Sequence, residues 1–271
     1  MTSDQRRAVM LYATVDSFDP QAGAVPLALS VAQQMGADLS GVLLCLDSNA
    51  PVPAPGREAR EAANLAHAEA LIAAGGERGL AVHPVLAINH ALGVTPSVED
   101  RARLHDLTVT GVDPRGLLSD RVVAESLLFG SGRPVLVAPA GFAGDLDCTR
   151  IVAAWDNSRT AARALGDALA LLPGVAEVVL LSIGDEKAID SSLSDEDTVQ
   201  ALARRGLAAR IERRSLGGKS IGAALQDGAQ DLGGGLLVMG GFGHSRLRDF
   251  VLGGATRAVL AEPRLPLFLS H

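Results

Sequence analysis

The sequence predicts an α/β protein built from two tandem five-stranded parallel-sheet domains. Three observations predict it. Short aliphatic runs alternate with stretches of helical period along the chain, which is the pattern of strand–helix units whose sheet is covered on both faces. The order of elements occurs twice: AVMLYATVD (Ala8–Asp16) and IVAAWD (Ile151–Asp156) open the two series, and their acids stand 140 positions apart. The chain has 271 residues with 48% apolar and 20% charged side chains, enough for two domains of ordinary size, each with its own core.

The elements follow in order. In the first half a helical pattern over Ala24–Met35 leads to the strand Gly41–Asp47, a long helix Glu58–Ala74 and the strand Ala81–Ile88. A helix near Pro96–Leu104, the strand Leu107–Gly111, a helix near Val122–Leu128 and the proline-led strand Arg133–Pro139 complete it. The second half repeats the series. Thr160–Leu172 is helical, Val178–Asp185 a strand, Ser194–Arg205 a helix and Ala209–Ser215 a strand. Ile221–Leu232, Leu236–Gly240, Ala255–Glu262 and the closing strand Leu265–His271 finish it. The acidic run Asp195–Asp197 suits the first turn of a helix capped by Ser194, where carboxylates face the positive dipole end. Ala140–Thr149, small and polar, is the expected linker, so the domains are residues 1–141 and 149–271.

Composition excludes several classes of function. Aromatic residues are 3%, too few for stacking platforms that hold single-stranded nucleic acid. Asp plus Glu exceeds Lys plus Arg, 31 to 24, for a net charge of −7, which speaks against a general polyanion binder. Cys45 and Cys148 form neither a disulfide framework nor a zinc spacing. The apolar stretch near the start is short and runs into a strand, unlike a secretory leader. The richest apolar stretch, Ala168–Ile183, is interrupted by Pro173, Gly174 and Glu177, so no membrane span is expected. A cytoplasmic setting is expected, with neither nucleic acid nor membrane as partner.

Open parallel sheets bind ligands beyond the carboxyl ends of their strands, so the loops after the first and fourth strands of each half are the places to search. In the second half the fourth strand runs into MGGFGHSRLRDFVLGGATRAVLAE. Gly240, Gly241 and Gly243 leave the strand, and Gly253 and Gly254 precede a helix. Glycines let backbone N–H groups approach a phosphate, and a helix N-terminus adds donors and a positive dipole end. Ser245, Thr256, Arg246, Arg248 and Arg257 can add further donors. The same glycines also fit ordinary turns at strand and helix ends.

Gly240-x-x-Gly243, nine residues, then Gly253 resembles the nucleotide-binding motif of the universal stress proteins, in which a Ser or Thr follows the last glycine. AWDNSRTAARAL (Ala154–Leu165) is similar to that family's first-strand motif, and ATVDS and LLFGSGRPVLVAP carry a fainter likeness in the first half. The resemblance implies a Rossmann-like (adenine nucleotide alpha hydrolase-like) fold used twice, with the two copies packed as a pseudo-dimer through their closing strands. A further homodimer is compatible with the sequence but not required by it. The resemblance also implies ATP or another adenine nucleotide as ligand, with Mg2+ only as its companion. Asp156 would lie near the base and ribose, while Gly240, Gly243, His244, Ser245, Gly253, Gly254, Ala255 and Thr256 would surround the phosphates. Gly254 departs from the motif, which removes a hydroxyl donor and keeps an N–H.

The first half departs further. Gly111 is followed by Val112, Asp113 and Pro114, which supply a repelling carboxylate and one N–H fewer. Asp16 reads there as a strand-end or capping acid. Leu216–Ser220 (LGGKS) looks like the end of a P-loop, but Arg213 stands where its first glycine belongs, which leaves Lys219 as a minor contact to a neighbouring ligand. The six histidines show no metal spacing, and no G-x-S-x-G elbow is present. The resemblance, with these departures in the first half, implies a nucleotide-binding stress protein with one site, in the second domain, and without a dedicated catalytic centre. The alternatives are a weak ATPase or nucleotidyl-transfer enzyme and a dimerisation module that binds no nucleotide.

Overall fold

A computed structural model describes residues 6–47, 56–90, 94–114, 119–184, 194–241 and 254–271. The chain divides into two compact units, Met1–Asp145 and Leu146–His271.

The first unit contains β1 (Ala8–Thr14), α1 (Ala24–Met35), β2 (Asp38–Asp47), α2 (Arg57–Glu77), β3 (Val82–His90), α3 (Val94–Ala102), β4 (Leu107–Thr110), α4 (Asp120–Gly130) and β5 (Val135–Val137). Its strands lie in the order β3-β2-β1-β4-β5, with every neighbour parallel. The second unit contains β6 (Arg150–Ala154), α5 (Arg159–Leu171), β7 (Glu177–Ile183), α6 (Asp195–Ala203), β8 (Ala208–Arg214), α7 (Ile221–Asp231), β9 (Leu236–Gly240), α8 (Gly254–Ala261) and β10 (Leu267–Ser270). Its order is β10-β9-β6-β7-β8, again parallel throughout.

Burial follows from this order. Central strands are covered on both faces, so Val9 to Tyr12 are fully buried, as are Leu236 and Leu237. Each such side chain removed from water stabilises the fold by about 1.5–3 kcal/mol. The end strand β8 (AARIERR) has no buried residue, and its sequence is accordingly polar. Right-handed crossovers send the connections from β1 to β3 over one face and those from β3 to β5 over the other. Accordingly α1 packs beside α2, α3 beside α4, and α7 beside α8. The direction of travel reverses between β1 and β4, and between β6 and β9, which leaves a crevice at the carboxyl end of each pair.

The boundaries differ from the sequence expectation for local reasons. β2 starts at Asp38, three residues before Gly41, because Asp38 N–H donates to the Arg7 carbonyl and opens the ladder with β1. β1 stops at Thr14, where Thr14 and Ser17 exchange hydrogen bonds in a turn, Thr14 N to Ser17 Oγ at 3.0 Å and Ser17 N to Thr14 Oγ1 at 3.2 Å. β5 keeps only Val135–Val137, since Pro134 and Pro139 bracket it. The expected cap of α6 is present as a capping box: Ser194 Oγ accepts from Asp197 N, and the Asp197 carboxylate accepts from Ser194 N.

Ser194→Ala should therefore cost about 1 kcal/mol of unfolding free energy. Urea denaturation of the two proteins measures it, and equal midpoints would contradict the capping argument.

Candidate functional site

The crevice of the second unit lies between the carboxyl ends of β6 and β9. Trp155, the only tryptophan of the chain, follows β6, and its backbone N–H donates to the Leu181 carbonyl of β7 at 2.8 Å. Its indole Nε1 is buried without a hydrogen-bond partner, a state that costs free energy until an acceptor arrives. Asp156 comes next, exposed, and one of its carboxylate oxygens accepts from Ser158 N at 2.9 Å. Asn157 between them takes a left-handed conformation, φ 58°. Ser158 then caps α5, its hydroxyl accepting from Ala161 N at 3.1 Å. The loop after β6 is thus held by its own side chains, with the Asp156 carboxylate aligned by the turn.

On the β9 side two glycines have structural reasons of their own. A Cβ at Gly240 would lie 2.5 Å from the Thr160 carbonyl carbon and 2.8 Å from Ala161 N. Glycine there lets the start of α5 press against the end of β9. Gly241 N–H is already engaged, donating to the Ser270 carbonyl of β10 at 2.7 Å. Gly243, His244, Ser245 and Gly253 lie outside the described residues, as do Arg246 and Arg248. Beyond them Gly254 opens α8, exposed, with nothing within 4 Å of a Cβ built on it. Ala255 is half-buried, Thr256 is buried at 2% exposure, and Arg257 is exposed.

A buried indole N–H without a partner and a helix start with open space beside Gly254 are groups able to meet a ligand acceptor or an anion. Among the described residues no group of three or more His, Cys, Asp or Glu side chains is arranged for a metal ion.

The equivalent crevice of the first unit is furnished differently. Asp16, after β1, receives a bidentate pair from Arg60 of α2 at 3.0 and 2.9 Å. That hydrogen-bonded carboxylate, despite the cost of partial burial, raises the pKa of the guanidinium. Asp16 is a strand-end acid but caps no helix, because α1 begins eight residues later behind Gly23. Phe18 stacks on His67 of α2 with ring centroids 4.4 Å apart, and burial lowers the pKa of that imidazole. After β4, the Asp113 carbonyl accepts from Asp120 N at 2.9 Å. Asp120, in the first turn of α4, is 3% exposed. Burial above all, and then the Asp120 charge, push the Tyr12 phenol well above its ordinary range. A buried carboxylate at a helix start already supplies the negative charge that the dipole favours, and it opposes a phosphate.

Lys219, read as a minor ligand contact, pairs with Asp227 of α7, which Arg264 also reaches at 2.7 Å. Those cations hold the Asp227 carboxyl below its usual range, Lys219 first. The LGGKS segment is therefore a capped helix start, with Ser220 Oγ accepting from Ala223 N. Trp155 and Ser158 were not singled out as site residues in the sequence. The signal was present, since Ser158 directly precedes a helical pattern and Trp155 directly precedes the candidate acid.

No protein-family model matches the sequence, and no curated protein matches it. Solved structures do. A universal stress protein from Archaeoglobus fulgidus DSM 4304 is 14% identical, with a TM-score of 0.66 over 98% of each chain. A putative universal stress protein from Pseudomonas aeruginosa UCBPP-PA14 is 16% identical, with a TM-score of 0.55 over 98% of this chain and 93% of that one. A protein of unknown function from Pseudomonas aeruginosa PAO1 is also 16% identical, with a TM-score of 0.54 over 98% and 92%. Such identities establish the fold: both units have the Rossmann-like fold of universal stress proteins. Among the described residues no helix is long and apolar enough to cross a membrane.

The glycines at 240 and 254 should respond oppositely to substitution. Gly240→Ala forces α5 away from β9 and should cost about 1–3 kcal/mol without any ligand present. Gly254→Ser meets open space and should change stability by less than about 0.5 kcal/mol. Thermal unfolding of both variants tests this, and equal losses would contradict the assignment of Gly240 to packing.

Proposed function

We propose that this chain is a tandem universal stress protein of the cytoplasm that binds one adenine nucleotide in its second unit. The observation that carries the reading is the pairing of an unpartnered indole N–H after β6 with an exposed, uncrowded helix start after β9. Both follow strands, β6 and β9, between which the direction of travel reverses. Trp155 and Asp156 would attend the base and ribose. The start of α8 at Gly254, Ala255 and Thr256 would hold the phosphates, together with Gly243, His244, Ser245 and Gly253 of the motif. Mg2+ would enter only as the companion of bound nucleotide.

The protein acts on this reading as a binding module and not as a dedicated catalyst. The carboxylate nearest the crevice, Asp156, is tied to the Ser158 N–H and serves the turn. In the first unit the Arg60–Asp16 pair and the buried Asp120 support a non-binding partner domain. The family resemblance carries the expectation that the two halves of the chain associate as a pseudo-dimer. Fragments 1–141 and 149–271, expressed together, should co-purify, whereas two independent soluble fragments would contradict the pairing.

Calorimetric titration with ATP should give a stoichiometry near one. Gly254→Ser restores a hydroxyl beside the phosphates and should tighten binding about fivefold, the value of one added neutral hydrogen bond. Gly253→Val should abolish binding. A stoichiometry near two would restore the first unit as a site, and unchanged affinity in both variants would place the phosphates elsewhere.

A further inference from the structure

The β3 edge of the first unit and the β8 edge of the second differ in a way that points to a partner. β3 and β8 are equivalent end strands, each paired on one side only among the described residues. β8 carries Arg210, Glu212, Arg213 and Arg214, all in ion pairs, and charge along an edge protects it from pairing. β3 is longer, and Val82–His90 contains no Asp, Glu, Lys or Arg.

The hydrogen-bond register says which backbone groups of β3 face outward. Leu39 N donates to the Ala81 carbonyl, and Leu39 is the register partner of Val82. In a parallel ladder the odd-numbered residues of β3 then turn both N–H and C=O toward β2, and the even-numbered residues turn theirs to the open edge. Pro84 falls on an even position, where its missing N–H costs the β2–β3 ladder nothing. Past it, residues 86, 88 and 90 present N–H and C=O alternately with residues that serve β2.

An apolar strip runs beside this edge. A Cβ at Gly75 of α2 would overlap Val82 Cγ2, so the even-numbered side chains of β3 start on the α2 face, and the two-residue period puts Leu86 there. On α2 the buried line is Asn64, Ala68, Leu71 and Gly75. Arg60 and His67 turn from that line toward Asp16 and Phe18, on the β1 side. Leu65 and Ile72 stand about 100° round the axis in the opposite sense, on the flank above the outer edge of β3. Leu65 is 53% exposed, Ile72 48% and Leu86 43%, three of the five exposed large hydrophobics among the described residues.

We propose that this edge is a self-association surface, to which β3 of a second copy of the chain adds antiparallel across a two-fold axis. Strand addition needs outward N–H and C=O groups at alternate residues, which the stretch from 86 to 90 supplies. A two-fold contact sets a surface against itself, and an uncharged strand meets its own copy with no like charges opposed. β8 would instead bring its arginines together. Leu65, Ile72 and Leu86 supply the apolar area that the pairing buries.

Sedimentation of the full-length chain over a wide concentration range tests the proposal. The parent should dimerise reversibly, and the Leu86→Lys/Ile72→Lys variant should dimerise at least about tenfold more weakly. Its melting by circular dichroism should stay that of a folded monomer, because both positions are half-exposed. Hydrogen exchange adds a signature that a purely structural role would not produce. The amides of Leu86 and Ile88 should gain protection as the parent dimerises, while those of Val85 and Ala87 are protected throughout by β2. A chain that stays monomeric would overturn the proposal, as would a dimer indifferent to the substitutions or one that leaves the Leu86 amide exchanging freely.

Discussion

The parallel pairing of β6 with β9 is the constraint on which the second unit depends. Register pairs Ile151 with Leu236 and Ala153 with Val238, which brings Trp155 and Gly240 to the same level at the carboxyl end of the sheet. The chain leaves these two strands for opposite faces, which leaves a crevice at their carboxyl ends. Gly240 keeps that crevice narrow by admitting the start of α5 against β9.

The first unit has the same strand order and a different chemistry at the same place. The loop after β1 carries a bidentate Arg60–Asp16 pair and a Phe18–His67 stack against α2, and α4 starts with the nearly buried Asp120. On the proposed function this leaves the first unit free to serve association. The uncharged edge of β3 beside Leu65, Ile72 and Leu86 fits that division of labour, since the second unit guards its equivalent edge with charge.

Most of the fold was legible in the sequence because central parallel strands must be apolar on both faces, and their runs cannot be confused with amphipathic helices of this length. Element order followed from the repeat, and the cap of α6 from Ser194 and Asp197. Strand ends were less legible. Asp38 and Ser40 belong to β2 despite their polarity, because backbone pairing with β1 decides that end. At the site, glycine spacing alone could not separate a phosphate loop from packing, and Gly240 shows why: a glycine against a helix start reads the same as one against an anion. The partner of Asp16 lay 44 residues away, at Arg60, and such a long-range ion pair has no sequence period to reveal it.

Photolabelling with 8-azido-ATP, followed by peptide mapping, tests the central claim most directly, because it reports where the base lies independently of affinity. The account predicts label in the segment after β6, at Trp155 to Thr160, or in the segment between β9 and α8, and competition by unlabelled ATP. Label confined to residues of the first unit, or label that ATP does not displace, would contradict it.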